Sequence, residues 1–378
     1  MHRLPGYMTS ILCCSMLVAC GPNPQNQLKS AQEPHRPIAG PSFEGWYART
    51  SDLGGGRSLA VIVGSHRAKN QTLSEGQSGP GYIGVLYSEG NGSPTRSWSY
   101  FPEETRITRE GKPVTSDPSI FDSEDRAFAW EAPGFGSFHQ DRIALALPGG
   151  VEVSMEFDAG KSWDAQGQLP LGPESALAAL PLPLHWYVKS LRSPAHYRLK
   201  FTDSEGRVQD IEGRGQAHLE KNWGQVFPKE WNWLQADSID EDAQIALGGG
   251  TIKLGFLDLK ALLAGYRSPK ESWDIRFTDL GTQIETKAGD CQGTYEVHVQ
   301  RPDLEVFIRA FAPRDTYGTV AVPTDKGFIP DFGAESFSAR IEVSTYRPRL
   351  TGKQMTDFRV FENGALEFGA GSYNKNCS

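Results

Sequence analysis

The sequence predicts an all-β protein: two lipocalin-like or barrel-like antiparallel β units packed together, with few short helices. Three observations predict it. Short segments of alternating apolar and polar residues recur from Phe43 onward, Gly, Pro, Asn or Asp turn chemistry bounds each of them, and helical character is confined to Pro173–Leu180 and Leu257–Ala264. The 378 residues suffice for two ordinary domains or one large β body. With 38 % hydrophobic and 11 % aromatic residues the chain can bury a real core.

Taken in order, the N-terminal β unit (43–165) opens on Phe43-Glu44-Gly45-Trp46-Tyr47. It continues through RSLAVIVGS (57–65), GYIGVLYS (81–88), RIALAL (142–147) and VEVSMEF (151–157). Each has the period of two that sends successive side chains to opposite faces of a sheet. Residues 158–184 are rich in Gly, Pro and Ala and lack alternation, so the join falls there, with 166–185 as linker. The C-terminal unit (186–378) resumes with HYRLKFTD (196–203), EWNWLQAD (230–237), TYEVHVQ (294–300), LEVFIRAF (304–311) and FSARIEVSTY (337–346). Asp203-Ser204-Glu205-Gly206 and Asn363-Gly364 have hairpin-turn chemistry. The two halves are not sequence repeats.

Residues 1–20, MHRLPGYMTSILCCSMLVAC, read as a secretory signal. The apolar run Ile11–Ala19 is too short for a hydrocarbon layer of about 30 Å. Its weakly basic start and small residues before a cysteine suit a signal peptide. Leu17-Val18-Ala19-Cys20 resembles a bacterial lipobox, in which Cys20 carries lipid; the alternative is a plain signal cut near Ala19. Residues 21–42 read as a flexible tether reaching roughly 25 Å. The expectation is a protein of the bacterial envelope, lipid-anchored to a membrane. Gly21 rather than Asp after the cysteine points to the periplasmic side of the outer membrane in a diderm. Cys13 and Cys14 leave with the signal, so Cys291 and Cys377 remain in a compartment that permits a disulfide. Sequence leaves open whether they meet, and it does not fix the oligomeric state.

The net charge of −8, with no basic cluster, argues against a nucleic-acid partner. No GxSxG elbow is present, and Met155 stands where a phosphate loop ending in Gly160-Lys161-Ser162 needs its first glycine. No GxGxxG opens a helix, and no HExxH or HxH occurs. No metal and no cofactor are expected.

The chemistry concentrates in residues 217–237, AHLEKNWGQVFPKEWNWLQAD, which hold three of the nine tryptophans beside Glu220-Lys221. On strands, Trp231, Trp233 and Gln235 share a face opposite Asn232, Leu234 and Ala236, and His218, Glu220 and Asn222 share a face opposite Leu219, Lys221 and Trp223. Glu44 aligns with Trp46, while Phe43 and Tyr47 lie opposite. Leu184-His185-Trp186-Tyr187 is a third site of this character. Polar groups among large aromatics suit the inside of a barrel that takes a largely apolar ligand. The plainer reading makes the tryptophans core, Glu220-Lys221 an ion pair, and His185 and His218 hydrogen-bonded structural residues.

Phe43-Glu44-Gly45-Trp46-Tyr47, together with Glu220-Lys221-Asn222-Trp223-Gly224, Phe227-Pro228, Trp231, Trp233 and Gln235, resembles the tocopherol cyclase family. Weaker similarity continues through Gly293–Glu296, Gly318–Pro330 and Leu366–Gly369. The resemblance implies an isomerase that closes a ring by protonating a prenyl double bond, with an isoprenoid lipid as ligand and no cofactor. It implies Glu44 or Glu220 as the acid, with Asp237 in reserve, and Lys221 and Asn222 to orient the acid or the phenol. Ligand contacts would come from Trp46, Tyr47, Trp223, Trp231 and Trp233, helped by His185, Trp186, His218, Phe227 and Gln235. Two alternatives use the same cavity: a hydratase, in which water captures the cation, and a non-catalytic lipocalin-like lipid carrier. A hydrolase using paired carboxylates is weaker, for want of any spacing signal.

Overall fold

The computed structural model describes residues 40–370, apart from 53–55, 72, 74–75, 110–111, 114–127, 164–171, 181, 255–256 and 290. The expected lipidation site Cys20, most of the tether, and Cys377 lie outside the described residues. Cys291 is engaged in a disulfide.

Two antiparallel sheets account for nearly all the regular structure. The first has twelve strands: β1 (Ser42–Asp52), β2 (Ser58–Arg67), β3 (Gly81–Ser88), β4 (Arg96–Tyr100), β5 (Arg106–Arg109), β6 (Lys112–Pro113), β7 (Phe128–Ala132), β8 (Gly136–His139), β9 (Arg142–Leu147), β10 (Val151–Phe157), β11 (Leu184–Thr202) and β12 (Val208–Gly224). The second has ten: β13 (Glu230–Ser238), β14 (Ala243–Leu254), β15 (Leu257–Arg267), β16 (Ser272–Arg276), β17 (Gln283–Gly289), β18 (Thr294–Arg301), β19 (Leu304–Phe311), β20 (Gly318–Thr324), β21 (Gly327–Arg349) and β22 (Gly352–Ala370). Each sheet pairs its first strand with its last, β1 with β12 and β13 with β22. The halves therefore share a topology without sharing a sequence.

Each sheet bends around a core of its own. In the first, Trp130 of β7 donates its indole N–H to Ser65 Oγ of β2 at 3.0 Å, although six strands separate the two in the sheet. Leu59, Val61, Val63, Val153, Leu199 and Phe201 fill the space between. In the second, Trp273 of β16 reaches Thr345 Oγ1 of β21 at 3.2 Å across Ile245, Leu247, Val306 and Ile341. A third cluster, which includes Tyr47, Trp186, Trp233, Val320 and Phe337, lies where the two sheets meet.

Three expectations differ from this architecture. As sheets, the chain divides at 225–229 and not within 158–184: β11 and β12, expected in the C-terminal unit, pair with β10 and β1. Among its described residues the Gly/Pro/Ala stretch holds a short 3-10 turn at Ser175–Ala179, inside the helix expected at Pro173–Leu180. Leu257–Ala264 is a strand. Its Leu and Ala content favours helix, but pairing with β14 buries Leu262, Ala264 and Tyr266 with period two, and tertiary pairing overrides that propensity. Asn363-Gly364 makes no hairpin; Asn363, at φ 54°, produces a bulge within β22, where the register against β21 shifts. The Asp203–Gly206 turn has the hairpin geometry expected of it, with the Asp203 carboxylate accepting from the Glu205 and Arg207 amides.

Candidate functional site

The alternation of β1, β12 and β11 sorts the candidate residues onto two faces. Register places Glu44 opposite Trp223 and Trp46 opposite Lys221, with His185 opposite Trp223 on the other side. These side chains turn toward the first sheet's own core. Tyr47 opposite Glu220, and Asn222 opposite Trp186, point the other way, toward the second sheet. Neighbours in one strand cannot share a face, so Glu220 and Lys221 are separated by the sheet itself.

On the inner face, Lys221 Nζ lies 2.7 Å from Glu44 Oε1, and both are buried. The ammonium sits 4.9 Å from the Trp223 ring centroid and 5.7 Å from that of Trp46. His185 stacks on Trp223 and holds Glu174 Oε2 at 2.8 Å. This is a compact ion pair between indoles, and it stands on the far side of the sheet from Glu220.

On the outer face the two sheets enclose a cavity of about 180 Å³. It was expected inside a barrel; it lies between the sheets because each sheet's interior is already filled by its own apolar core. Its walls are mostly aromatic. Phe43, Phe227 and Trp231 make successive ring contacts at 5.3 and 5.2 Å, and Trp233 meets the edge of Tyr47 at 5.3 Å. Glycine shapes the second wall. Gly248 and Gly250 of β14 pair with Trp233 and Trp231, and a Cβ there would meet the Trp186 ring at 3.4 Å and the Glu230 carbonyl oxygen at 2.6 Å, so glycine lets this wall pack close to the aromatics. A Cβ at Gly369 would lie 1.8 Å from the Trp231 ring, so that ring requires glycine beneath it.

Glu44, Glu174, Glu220 and Glu367 line this space, and Glu335 lies buried behind it. Glu220 Oε2 accepts the indole N–H groups of Trp186 at 2.9 Å and Trp233 at 3.1 Å, and His218 Nε2 lies 3.0 Å from the same oxygen. Glu367, on β22 directly opposite Trp233, also lines the cavity, and its Oε1 accepts the Trp231 N–H at 2.6 Å. Burial, opposed by that hydrogen bond and reinforced by the charge of Glu220, pushes the Glu367 carboxyl up to about 7. Glu335, on β21 opposite Glu367, is fully buried and accepts the Tyr47 hydroxyl at 2.6 Å. Burial first, then the neighbouring Glu367, holds its carboxyl well above the usual range.

Of the residues expected at the site, Tyr47, Trp186, Glu220, Asn222, Phe227, Trp231 and Trp233 meet at the cavity, and His218 adjoins it through Glu220. Glu44, Trp46, Lys221, Trp223 and His185 form the ion-pair cluster, of which Glu44 and Trp46 also border the cavity. Asp237 is 2.6 Å from Arg192 of β11 in a bridge joining the sheets, away from the cavity. Gln235 accepts from the buried Arg49 at 2.6 Å. Glu335 and Glu367 were missed as site residues. Leu366-Glu367-Phe368-Gly369 stood out only as continuing resemblance, and the available signal was a lone Glu in an apolar strand beside a glycine. No group of three His, Cys, Asp or Glu side chains placed to hold a metal occurs among the described residues.

Residues 185–370 match the family model described as tocopherol cyclase-like. Over this part the chain is similar to the tocopherol cyclase-like family. The tocopherol cyclase-like segment runs from β11 to β22 and carries Glu220, Glu335 and Glu367, whereas Tyr47 and the rest of β1 precede it. In three dimensions the chain is similar to a candidate AttH protein from Nitrosomonas europaea, with a TM-score of 0.43 and 14 % identity over 88 % of this chain and 93 % of that one. It is also similar to kievitone hydratase from Nectria haematococca, with a TM-score of 0.42 and 10 % identity over 88 % and 90 %. No curated protein matches the sequence.

Proposed function

We propose that the protein is an isomerase that cyclises a prenylated hydroquinone, or a related isoprenoid phenol, by protonating its double bond. One observation carries this reading: Glu367 faces an aromatic cavity with its carboxyl pushed up to about 7. A carboxylic acid kept neutral at physiological pH can give a proton to an alkene, and burial is what keeps it neutral. The similarity of residues 185–370 to the tocopherol cyclase-like family supports the same chemistry.

In this mechanism Glu367 gives its proton to one alkene carbon, the other becomes a tertiary cation, and the phenol oxygen captures it as the phenolic proton leaves. Glu220, its acceptor oxygen held by two indoles, is the counter-charge to the cation. The faces of Trp231 and Trp233 add about 0.5–2 kcal/mol each through cation–π attraction. Aromatic walls keep out water, which would otherwise trap the cation. Where one water needs about 10–15 Å³, the cavity holds on the order of a dozen waters. That suits a ring with the first part of its tail and leaves the rest of the tail to the opening.

The test is to incubate the purified full chain with a prenylated hydroquinone and weigh the product. A product of unchanged mass that disappears in Glu367→Gln is expected. Gain of one water would make the protein a hydratase, and recovery of bound, unaltered lipid with no product would make it a carrier; either overturns the cyclase.

A further inference from the structure

Glu335 takes no part in the steps above, yet it is fully buried, and its Oε2 has no hydrogen-bond partner. Leaving such an oxygen unsatisfied is costly. The groups facing it are Tyr47 and Arg49 from β1, Glu220 from β12 and Glu367 from β22. Arg49 is committed elsewhere, donating to Gln235 Oε1, Ser58 Oγ and the Asn363 carbonyl. Tyr47 is the link: its ring borders the cavity, and its hydroxyl donates to Glu335 Oε1 at 2.6 Å. Glu335 faces Glu367 directly across the β21–β22 pair, and Glu367 borders the cavity again. Directly opposed side chains have Cβ atoms about 4.5–5.5 Å apart, within carboxyl-to-carboxyl reach. Tyr47, Glu335 and Glu367 thus run in order from one wall of the cavity to another, joined by one hydrogen bond and one cross-strand pairing.

We propose that Tyr47 and Glu335 return to Glu367 the proton that ring closure releases; the proposal rests on the isomerase reading. Once Glu367 has protonated the alkene and the C–O bond has formed, the proton left on the new ether oxygen passes to the Tyr47 oxygen while Tyr47 gives its own proton to Glu335 Oε1. Glu335 releases the proton on Oε2 to Glu367, whose proton went to the alkene carbon. A half-turn of the Glu335 carboxyl restores the start, and no proton is gained or lost. Glu335 acts through its neighbours and touches no substrate, so it is a positioning and relay residue.

Glu335→Gln breaks the relay behind the ligand while leaving Glu367 and the cavity wall in place. With a prenylated hydroquinone it should form the first equivalent of product per chain near wild-type speed, and later turnovers should be slower by about tenfold or more. A structural role would slow the first and later turnovers together; that result, or no slowing at all, overturns the relay. If Glu335→Gln fails to fold, Glu335→Asp, which keeps a carboxyl but shortens its reach to Tyr47, carries the same test. If the wild type makes no product, the isomerase reading is what has failed. The ligand-free protein gives a separate measurement: at mildly acidic pH, Glu335→Gln should lose one infrared carbonyl band of a buried protonated carboxyl. Persistence of every such band overturns the relay whatever the reaction.

Discussion

Glu220 and Glu367 show how two carboxyl groups bordering one cavity take different roles. Glu220 has one oxygen accepting two indole N–H groups, whereas Glu367 is buried with a single indole donor beside the carboxyls of Glu220 and Glu335. Their roles follow from those surroundings and not from residue type. Activity that needs protonated Glu367 should therefore fall as pH rises through about 7. Glu367→Gln should lower the rate about 10²–10⁴-fold while ligand quenching of tryptophan fluorescence persists. Stability gives an independent check. The folded carboxyl keeps its proton up to about 7, against an ordinary 4.5, so the folded state binds more protons across that window and its stability falls as pH rises through it. Thermal melts from acid to neutral pH should show a shallower decline in Glu367→Gln than in the wild type. An equal decline in both would place the titration elsewhere.

At the scale of elements, β14 decides whether there is a site at all. A strand normally fills its wall with side chains, and Gly-Gly-Gly at 248–250 declines to do so opposite Trp231–Trp233. A Cβ at Gly248 meets the Trp186 ring at an ordinary 3.4 Å, so a larger residue fits the strand and projects toward the ligand space. Gly248→Val should weaken ligand binding at least tenfold and change the melting temperature little, because valine suits a strand better than glycine. Fluorescence titration and a melt on one sample check this; undiminished binding would move the ligand out of the cavity. Trp233 is a poorer test than its place in the sequence promised. It lines the cavity and also belongs to the inter-sheet core, so Trp233→Ala removes both a ligand contact and packing that costs about 3–5 kcal/mol.

At the scale of the whole molecule, the site exists only while the two sheets stay docked. Arg192 of β11 clamps the second sheet through Asp237 at 2.6 Å, Asp242 at 2.7 Å and the Ser238 carbonyl at 2.8 Å. Burial pushes the Asp237 carboxyl up even with this partner in place, the mark of a group that depends on its bridge. Arg192→Met strands that charge and should cost roughly 3–5 kcal/mol in urea unfolding, with binding retained in the folded fraction. A loss within error of zero would show that the docking does not depend on it. We also propose that Cys20 carries a lipid anchor. Cys20→Ala should move the protein from the membrane fraction to the soluble fraction, and retention after a high-salt wash would place the anchor elsewhere.

What the sequence determined by itself was whatever depends on local order. Period two gave nearly every strand, and it also gave the faces of β12 and β13, with Trp231 and Trp233 opposite Leu234 and Ala236. It failed where local preference and tertiary pairing disagreed, at Leu257–Ala264 and at Asn363. It also failed where pairing between distant strands sets the boundary, as in the placement of β11 and β12. The tryptophan-rich stretch pointed to the cavity because its residues are contiguous in the chain. The proposed acid was not legible there, since Glu44, Glu220 and Asp237 look alike in sequence until their partners are known. Lys221 claims Glu44, two indoles and His218 claim Glu220, and Arg192 claims Asp237. Glu367 lies 147 residues beyond Glu220 and meets Trp233 only because β22 pairs with β13. A carboxyl group's proton affinity is set by what surrounds it, and here the surroundings come from the opposite end of the chain.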